Sequence, residues 1–271
     1  MSSDVTPPEE EQGLEVRTYF VRGRNVLLAR ADFSALYVDY YLHLNDQGLR
    51  PEPRCDAIFK DALAALVLHC ASRPWNESIA WTVNFQDPLF NLFLTGNSSQ
   101  GTVVGTLFTE DIKKRDRNLF CSDIVRGQNP SHRSMIEFEG NNAFRAVDQY
   151  YQQSEQRQAR LFEKGEEDFI LLTAQPDCDQ AWLASLTTAA IQQLDVDEEL
   201  SLLEQRYYKW QCGCSQRRMF SILAETMKRD PEALFEDEAF LRMNCPRCGA
   251  RYTITREAME AFVENEGQKQ A

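Results

Sequence analysis

The sequence predicts an α+β protein: an N-terminal, mainly antiparallel sheet domain with packed helices, a helical linker, and a small C-terminal domain built on four cysteines. Three observations carry this reading. Between residues 79 and 138, apolar side chains recur at alternate positions in short runs joined by brief polar turns, the pattern of half-buried strands in a meander. Residues 58–70 place Ile58, Phe59, Ala62, Leu63, Leu66 and Val67 on one helical face, which a sheet can cover. Cys212, Cys214, Cys245 and Cys248 form one Cys-X-Cys and one Cys-X-X-Cys pair with 30 residues between the pairs, the arrangement that suits a tetrahedral zinc ion.

Taken in order, residues 1–14 are acidic and rich in Pro, Glu and Ser without an apolar pattern, and a disordered tail is expected. Residues 16–29 read as a strand carrying a turn at Gly23. Residues 33–44 are aromatic and apolar at near-helical spacing (Leu36, Tyr37, Tyr40, Tyr41, Leu44). After the Pro51 and Pro53 loop comes the 58–70 helix. Ile79, Trp81, Val83 and Phe85 then alternate with small or polar residues, and 89–94, 102–108, 120–125 and 134–138 read as further strands. Asn142 can cap a helix through 156, and 169–172 is another strand. Two helical segments are expected at 182–194 and 198–208. In the cysteine region, Ser215 can cap a helix to about 228. Asp230-Pro-Glu232 opens a second helix through 242, residues 251–254 form a strand, and Thr255 caps a last helix. These elements divide the chain into a tail (1–14), an α+β domain (15–177), a helical linker (178–210), a zinc domain (211–264) and a short tail (265–271).

The chain of 271 residues is 43% hydrophobic, ample for a core, and carries a formal charge of −13. So acidic a surface makes nucleic acid an unlikely main partner, since phosphate binding needs clustered Lys and Arg. Residues 206–256 run against the trend, with ten Lys and Arg against six Asp and Glu, a formal +4. Four thiolates and one Zn²⁺ would bring this to about +2. The start is acidic and polar, unlike a secretory signal. The apolar run 62–70 is interrupted by His69 and is too short to span a bilayer. A reducing cytoplasm, with no membrane partner, is expected. There, clustered cysteines are metal ligands or redox thiols, whereas the scattered Cys55, Cys70, Cys121 and Cys178 read as small hydrophobes or incidental thiols.

Cys245-Pro-Arg-Cys-Gly suits a ligand turn, because proline presets its own φ and the following glycine tolerates φ > 0. Most four-cysteine zinc sites are structural. A zinc hydrolase needs an open coordination position, which four cysteines would fill. His43, His69 and His132 all lie far from the cysteines in sequence, and His69 reads as structural. A thiol oxidoreductase would place Cys-X-X-Cys at a helix start in a βαβ setting, whereas a strand is expected after Cys248. No phosphate loop or nucleophile elbow is present. No catalytic residue is therefore expected.

Gln211-Cys-Gly-Cys-Ser-Gln-Arg-Arg218, a helical spacer, and Cys245-Pro-Arg-Cys-Gly-Ala-Arg-Tyr-Thr-Ile-Thr-Arg-Glu257 resemble the C-terminal zinc domain of the redox-regulated 33 kDa chaperonin family (heat shock protein 33). A second, independent match is Asp148-Gln-Tyr-Tyr-Gln-Gln-Ser-Glu-Gln156, similar to the phrase that closes the family's N-terminal domain. Val21-Arg-Gly23 and Gln86-Asp-Pro-Leu89 echo the family more weakly. The chain departs from the pattern at Val104-Gly105, where the family commonly has an arginine-glycine pair, and its linker is shorter.

The resemblance implies a redox-switched holdase that is not an enzyme. Its reduced form would be inactive, with one Zn²⁺ on Cys212, Cys214, Cys245 and Cys248. Oxidation would form the disulfides Cys212–Cys214 and Cys245–Cys248, release zinc, unfold the C-terminal region and expose apolar surface. The expected partners are unfolded or aggregation-prone client proteins, and the reading leaves room for a homodimer on oxidation. The alternative is a zinc-ribbon module whose structural zinc supports contact with protein or nucleic acid.

Overall fold

A computed structural model of the chain describes residues 13–236 and 238–270. The chain divides into two compact units, one ending at Gln211 and one beginning at Cys212. Residues 1–12, where most of the disordered tail is expected, lie outside the described residues.

The first unit is a ten-stranded sheet made of β1 (Leu14–Val21), β2 (Val26–Asp32), β3 (Glu77–Gln86), β4 (Leu89–Asn97), β5 (Thr102–Phe108), β6 (Asn118–Arg126), β7 (His132–Phe138), β8 (Ala159–Gly165), β9 (Asp168–Ala174) and β10 (Leu200–Trp210). Its strand order is β7-β6-β3-β4-β5-β10-β1-β2-β9-β8. The pairings are antiparallel except at one seam, where Lys209 and Trp210 of β10 run parallel to Thr102 and Val103 of β5. The single strand expected over 16–29 is a hairpin, because the turn at Gly23 brings Val26 back opposite Val21.

One face of this sheet is covered by α1 (Ser34–Asp46), α2 (Pro53–Ala71) and α3 (Ala143–Tyr150). Helix α2 is buried nearly all round from Ala62 to Ala71, as a central core helix must be. With its own Phe59, it packs against Trp81, Phe85, Phe90, Phe120 and Tyr150, all fully buried. On the opposite face, alternate residues of β2, β8 and β9 (Val26, Leu28, Phe162, Ile170, Leu172) form a second cluster with Leu183, Leu186, Ile191 and Leu194. These last four come from or border α4 (Gln180–Ser185) and α5 (Thr188–Asp197). The β3–β7 half of that second face carries Thr82 and Met135 exposed and Phe93, Leu119 and Cys121 half-buried.

The phrase Asp148–Gln156 closes α3 as a helix and continues as a π-helical turn, Tyr151–Glu155. The Tyr151 hydroxyl meets His69 Nδ1 at 2.6 Å. Glu155 accepts from Arg73 at 2.7 Å and from Tyr150 at 2.9 Å. Fully buried Glu77 accepts from Arg73 and Arg126, both at 2.6 Å. His69 is a core residue, as expected from its position, and burial holds its imidazole well below the usual range.

The linker differs from the expectation. It is helical only through Asp197, and the helix expected over 198–208 is strand β10, eight residues of which pair with β1. The residues Leu, Glu, Gln and Arg suit a helix, but long-range pairing decides the outcome. Arg206 and Tyr208 turn inward while Gln205 and Lys209 face solvent. The Arg206 guanidinium donates to the Cys70 carbonyl at 3.0 Å and lies 4.4 Å from the Trp75 ring centre. The segment expected as one helix over 182–194 is divided into α4 and α5, and the Thr187 hydroxyl caps the second.

The second unit comprises α6 (Gln216–Arg229), α7 (Pro231–Phe235), β11 (Phe240–Asn244), β12 (Arg251–Thr255) and α8 (Arg256–Gln270). The helix expected from Asp230 through residue 242 stops at Phe235, where Glu236 adopts a left-handed conformation with φ 47°. Residues 240–244 instead pair with β12. Helix α8 runs through Gln270, so the tail expected over 265–271 is helical to that point.

Candidate metal centre

The second unit presents the four cysteines from two short turns. The first turn links β10 to α6. Cys212 and Cys214 flank Gly213, whose φ of 70° is costly for any residue with a Cβ. Ser215 then caps α6, accepting from the Arg218 amide at 3.3 Å. The second turn is the tip of the β11–β12 hairpin, closed by Asn244 opposite Arg251. Within it the Gly249 amide donates to the Cys245 carbonyl and the Cys245 amide to the Ala250 carbonyl, both at 2.8 Å. Gly249 takes φ 73°.

All four sulfurs lie within 4.8 Å of one another. Cys212 Sγ is 3.6 Å from Cys245 Sγ, and Cys214 Sγ is 3.5 Å from Cys248 Sγ. Four sulfurs placed tetrahedrally about 2.3 Å from a zinc ion would stand about 3.8 Å apart, so the cluster fits the ion in donor chemistry and size. Cys245 and Cys248 are buried, at 3% and 2% exposure, whereas Cys212 and Cys214 are half-exposed. Hydrogen bonds from Cys248, Cys245 and Cys214 converge on Cys212 and hold its thiol well below the usual range. Cys248, the donor of the strongest of these, is pushed up by that bond and by burial. One thiolate in such a cluster is thus stabilised at the expense of its neighbours. A metal cation would relieve that competition.

Two further residues serve the site without being singled out as site residues by the sequence. Tyr252 Oη donates to Cys214 Sγ at 3.0 Å, and Arg247 Nη1 donates to the Cys212 carbonyl at 3.1 Å. The signal for Tyr252 is the alternation of β12, which puts it on the same side as fully buried Ile254. Burial and the bond to Cys214 push its phenol up, so it stays protonated and donates near neutral pH. The other four cysteines stand outside the cluster. Cys55 and Cys70 are buried on α2, where burial pushes their thiols up to about 11 and about 12. Cys121 lies on β6 and Cys178 follows β9. Among the described residues the cluster holds cysteines alone.

The model of the Hsp33 protein family matches residues 163–255, a stretch that includes all four clustered cysteines. The family it matches is Hsp33. A curated 33 kDa chaperonin of Nitrosococcus oceani is 24% identical over 157 residues, covering 50% of this chain and 54% of the relative. The 33 kDa chaperonin of Proteus mirabilis is 22% identical over 244 residues, covering 76% of this chain and 83% of the relative. The crystal structure of the 33 kDa chaperonin (heat shock protein 33 homologue) of Thermotoga maritima superposes with a TM-score of 0.70 at 12% identity, over 94% of this chain and 99% of that one. The fold is therefore the one expected from the Hsp33 resemblance. No described helix is long and apolar enough to cross a membrane.

Proposed function

We propose that this chain is a redox-regulated holdase chaperone of the Hsp33 type and not an enzyme. Its partners are unfolding client proteins in the cytoplasm. The observation that carries the reading is the four-sulfur cluster lying inside the segment matched by the family model. A Zn²⁺ bound there would keep Cys212, Cys214, Cys245 and Cys248 as thiolates and tie α6 to the β11–β12 hairpin. Thiolates are the form that oxidants attack. Conversion of the four to the disulfides Cys212–Cys214 and Cys245–Cys248 removes the ligands together, and residues 212–264 then lose their main support. The first unit has apolar surface to offer a client: Val38, Tyr41 and Leu42 are exposed on α1, and Met135 on β7. In this reading the shortened linker stays folded, because β10 belongs to the sheet.

The test is light scattering of a thermally unfolding client with reduced and oxidised protein, alongside the zinc content of each. Oxidised protein is expected to suppress aggregation and to have lost one zinc per chain. If it protects no better than reduced protein, the chaperone reading fails and a structural zinc becomes the better account. That second reading is favoured by the outer face of the β11–β12 hairpin, where Phe240, Arg242 and Arg251 are exposed. Retention on heparin at moderate salt would support it.

A further inference from the structure

We propose that a cavity in the first unit, between the β6–β7 turn and the π-helical turn Tyr151–Glu155, is a binding site for a carboxylate anchored on Arg126. The cavity has a volume of about 530 Å³, within the range of small-molecule sites. Its walls include Arg73, Arg126, His132, Ser154, Glu155 and Gln156. The last three end the phrase Asp148–Gln156, which contributes nothing to the sulfur cluster. At the cavity this phrase leaves regular helix. Tyr151–Glu155 is a π-helical turn, a form frequent at functional sites. Gln156 takes a left-handed φ of 54°, uncommon for a residue with a Cβ and a mark of sites where the backbone is held for a purpose.

The fixed charges here favour one monoanion. Arg73, whose side chain is 10% exposed, donates to Glu77 at 2.6 Å and to Glu155 at 2.7 Å. Arg126 donates through Nε to Glu77 at 2.6 Å, and among the described residues neither of its Nη groups has a hydrogen-bond partner. Arg157 lies 4.0 Å from Glu155. Three guanidinium groups thus share two carboxylates, an excess of one positive charge. One carboxylate neutralises that excess, whereas a phosphate dianion overshoots it. A planar carboxylate also matches the two Nη groups of Arg126, which donate in parallel to its two oxygens. Glu77 already holds the Nε edge of that guanidinium, so less freedom is lost on binding. Beside these charges, Asn129, Ser154 and Gln156 offer neutral donors and acceptors, and Ile124 and Pro130 an apolar wall. The combination suits a carboxylate next to an amide and an aliphatic side chain, the chemistry of a peptide's C-terminal residue or of a free acylated amino acid.

The experiment titrates the full-length, reduced protein with the peptide N-acetyl-Gly-Ser-Leu, with its C-terminal carboxamide, and with N-acetyl-leucine, following backbone amide shifts by NMR. The carboxylate peptide should shift residues 126–132 and 154–157 saturably, and the carboxamide should bind at least about tenfold more weakly, the weight of hydrogen bonds to a charged acceptor. Arg126→Lys keeps a cation beside Glu77 but presents no fork, and should weaken the carboxylate peptide by a similar factor. Gln156→Gly suits the left-handed backbone and removes only the amide, and should weaken it less. A carboxamide that binds as tightly as the carboxylate overturns the inference. So does an Arg126→Lys that binds like the wild type, or the absence of any saturable shift at these residues. Should Arg126→Lys fail to fold, the comparison of carboxylate with carboxamide in the wild type decides. N-acetyl-leucine binding as tightly as the peptide would make the ligand a small free acid, and a preference for the peptide would make it a chain terminus; both uphold the carboxylate site. The titration involves neither oxidant nor client, so its outcome is independent of the aggregation assay.

Discussion

Residues 13–211 bury Phe59, Trp81, Phe85, Phe90, Phe120 and Tyr150 between a sheet and three helices, with a second apolar cluster on the far side of β2, β8 and β9. Among the described residues from Cys212 onward, the fully or nearly buried side chains are Met219, Ala224, Met227, Phe235, Ile254, Met259 and Ala250, together with Cys245 and Cys248. Two of the most buried residues in the smaller unit are thus also half of its sulfur cluster. A domain of about sixty residues has little apolar area to set against chain entropy and often needs a staple. The larger unit can stand on its own burial, whereas on the proposed zinc reading the smaller one is conditional on what its cysteines hold. On that reading, chemistry at the four sulfurs unmakes one unit and spares the other.

The largest effect expected from this contrast is on the smaller unit. Structural zinc contributes on the order of 10–16 kcal/mol in small zinc peptides. Replacing Cys245 and Cys248 with serine should abolish zinc binding and the hydrogen-exchange protection of α6, β11, β12 and α8. The amides of β10 paired with β1 should stay protected. Loss of β10 protection in that variant would show that the two units melt together. The variant is also expected to suppress client aggregation without oxidant.

The converse experiment breaks the larger unit and leaves the metal alone. Glu77 is fully buried between Arg73 and Arg126, and removing one partner of a buried ion pair costs about 3–5 kcal/mol. Glu77→Gln should lower the unfolding free energy of residues 13–211 by that amount, with zinc stoichiometry unchanged. The two arginines hold the Glu77 carboxyl below its usual range, against the opposing effect of burial. Its contribution is present above the unfolded carboxylate pKa and is lost as pH falls through the folded value.

A smaller, oppositely signed pH effect belongs to Asp148. Burial pushes its carboxyl up to about 7, and its Oδ1 has no hydrogen-bond partner. The folded state keeps a proton that the unfolded chain releases near pH 4. Stability from this group therefore falls as pH rises from about 4 to 7. Asp148→Asn should remove that slope, so the variant gains thermal stability over the wild type at pH 8 relative to pH 4. A wild-type difference that does not change with pH would show the group is ionised throughout. The smallest effect is expected at Arg256, paired with Glu232 at 2.8 Å, where the glutamate side chain is 68% exposed. Arg256→Ala should cost less than about 1 kcal/mol, within the noise of a zinc-loaded melt.

Local signals carried much of this protein. The two cysteine pairs, the alternation of β3 to β7, and the caps at Asn142, Ser215 and Thr255 depend on neighbours within a few residues, so they can be read along the chain. The four sulfurs were nameable because each pair comes from a single turn. What the sequence could not decide was pairing over long separations. Residues 200–210 have the composition of a helix, and they form a strand because β1 and β5 leave a place between them. Residues 240–244 are a strand because β12 lies beside them, and β8 is one because it pairs with β9. The hydroxyl of Tyr252 reaches Cys214 only once α6 and the hairpin are brought together. Backbone hydrogen bonds between distant segments have no periodic trace in either one alone, which is why tertiary structure had the final word at these positions.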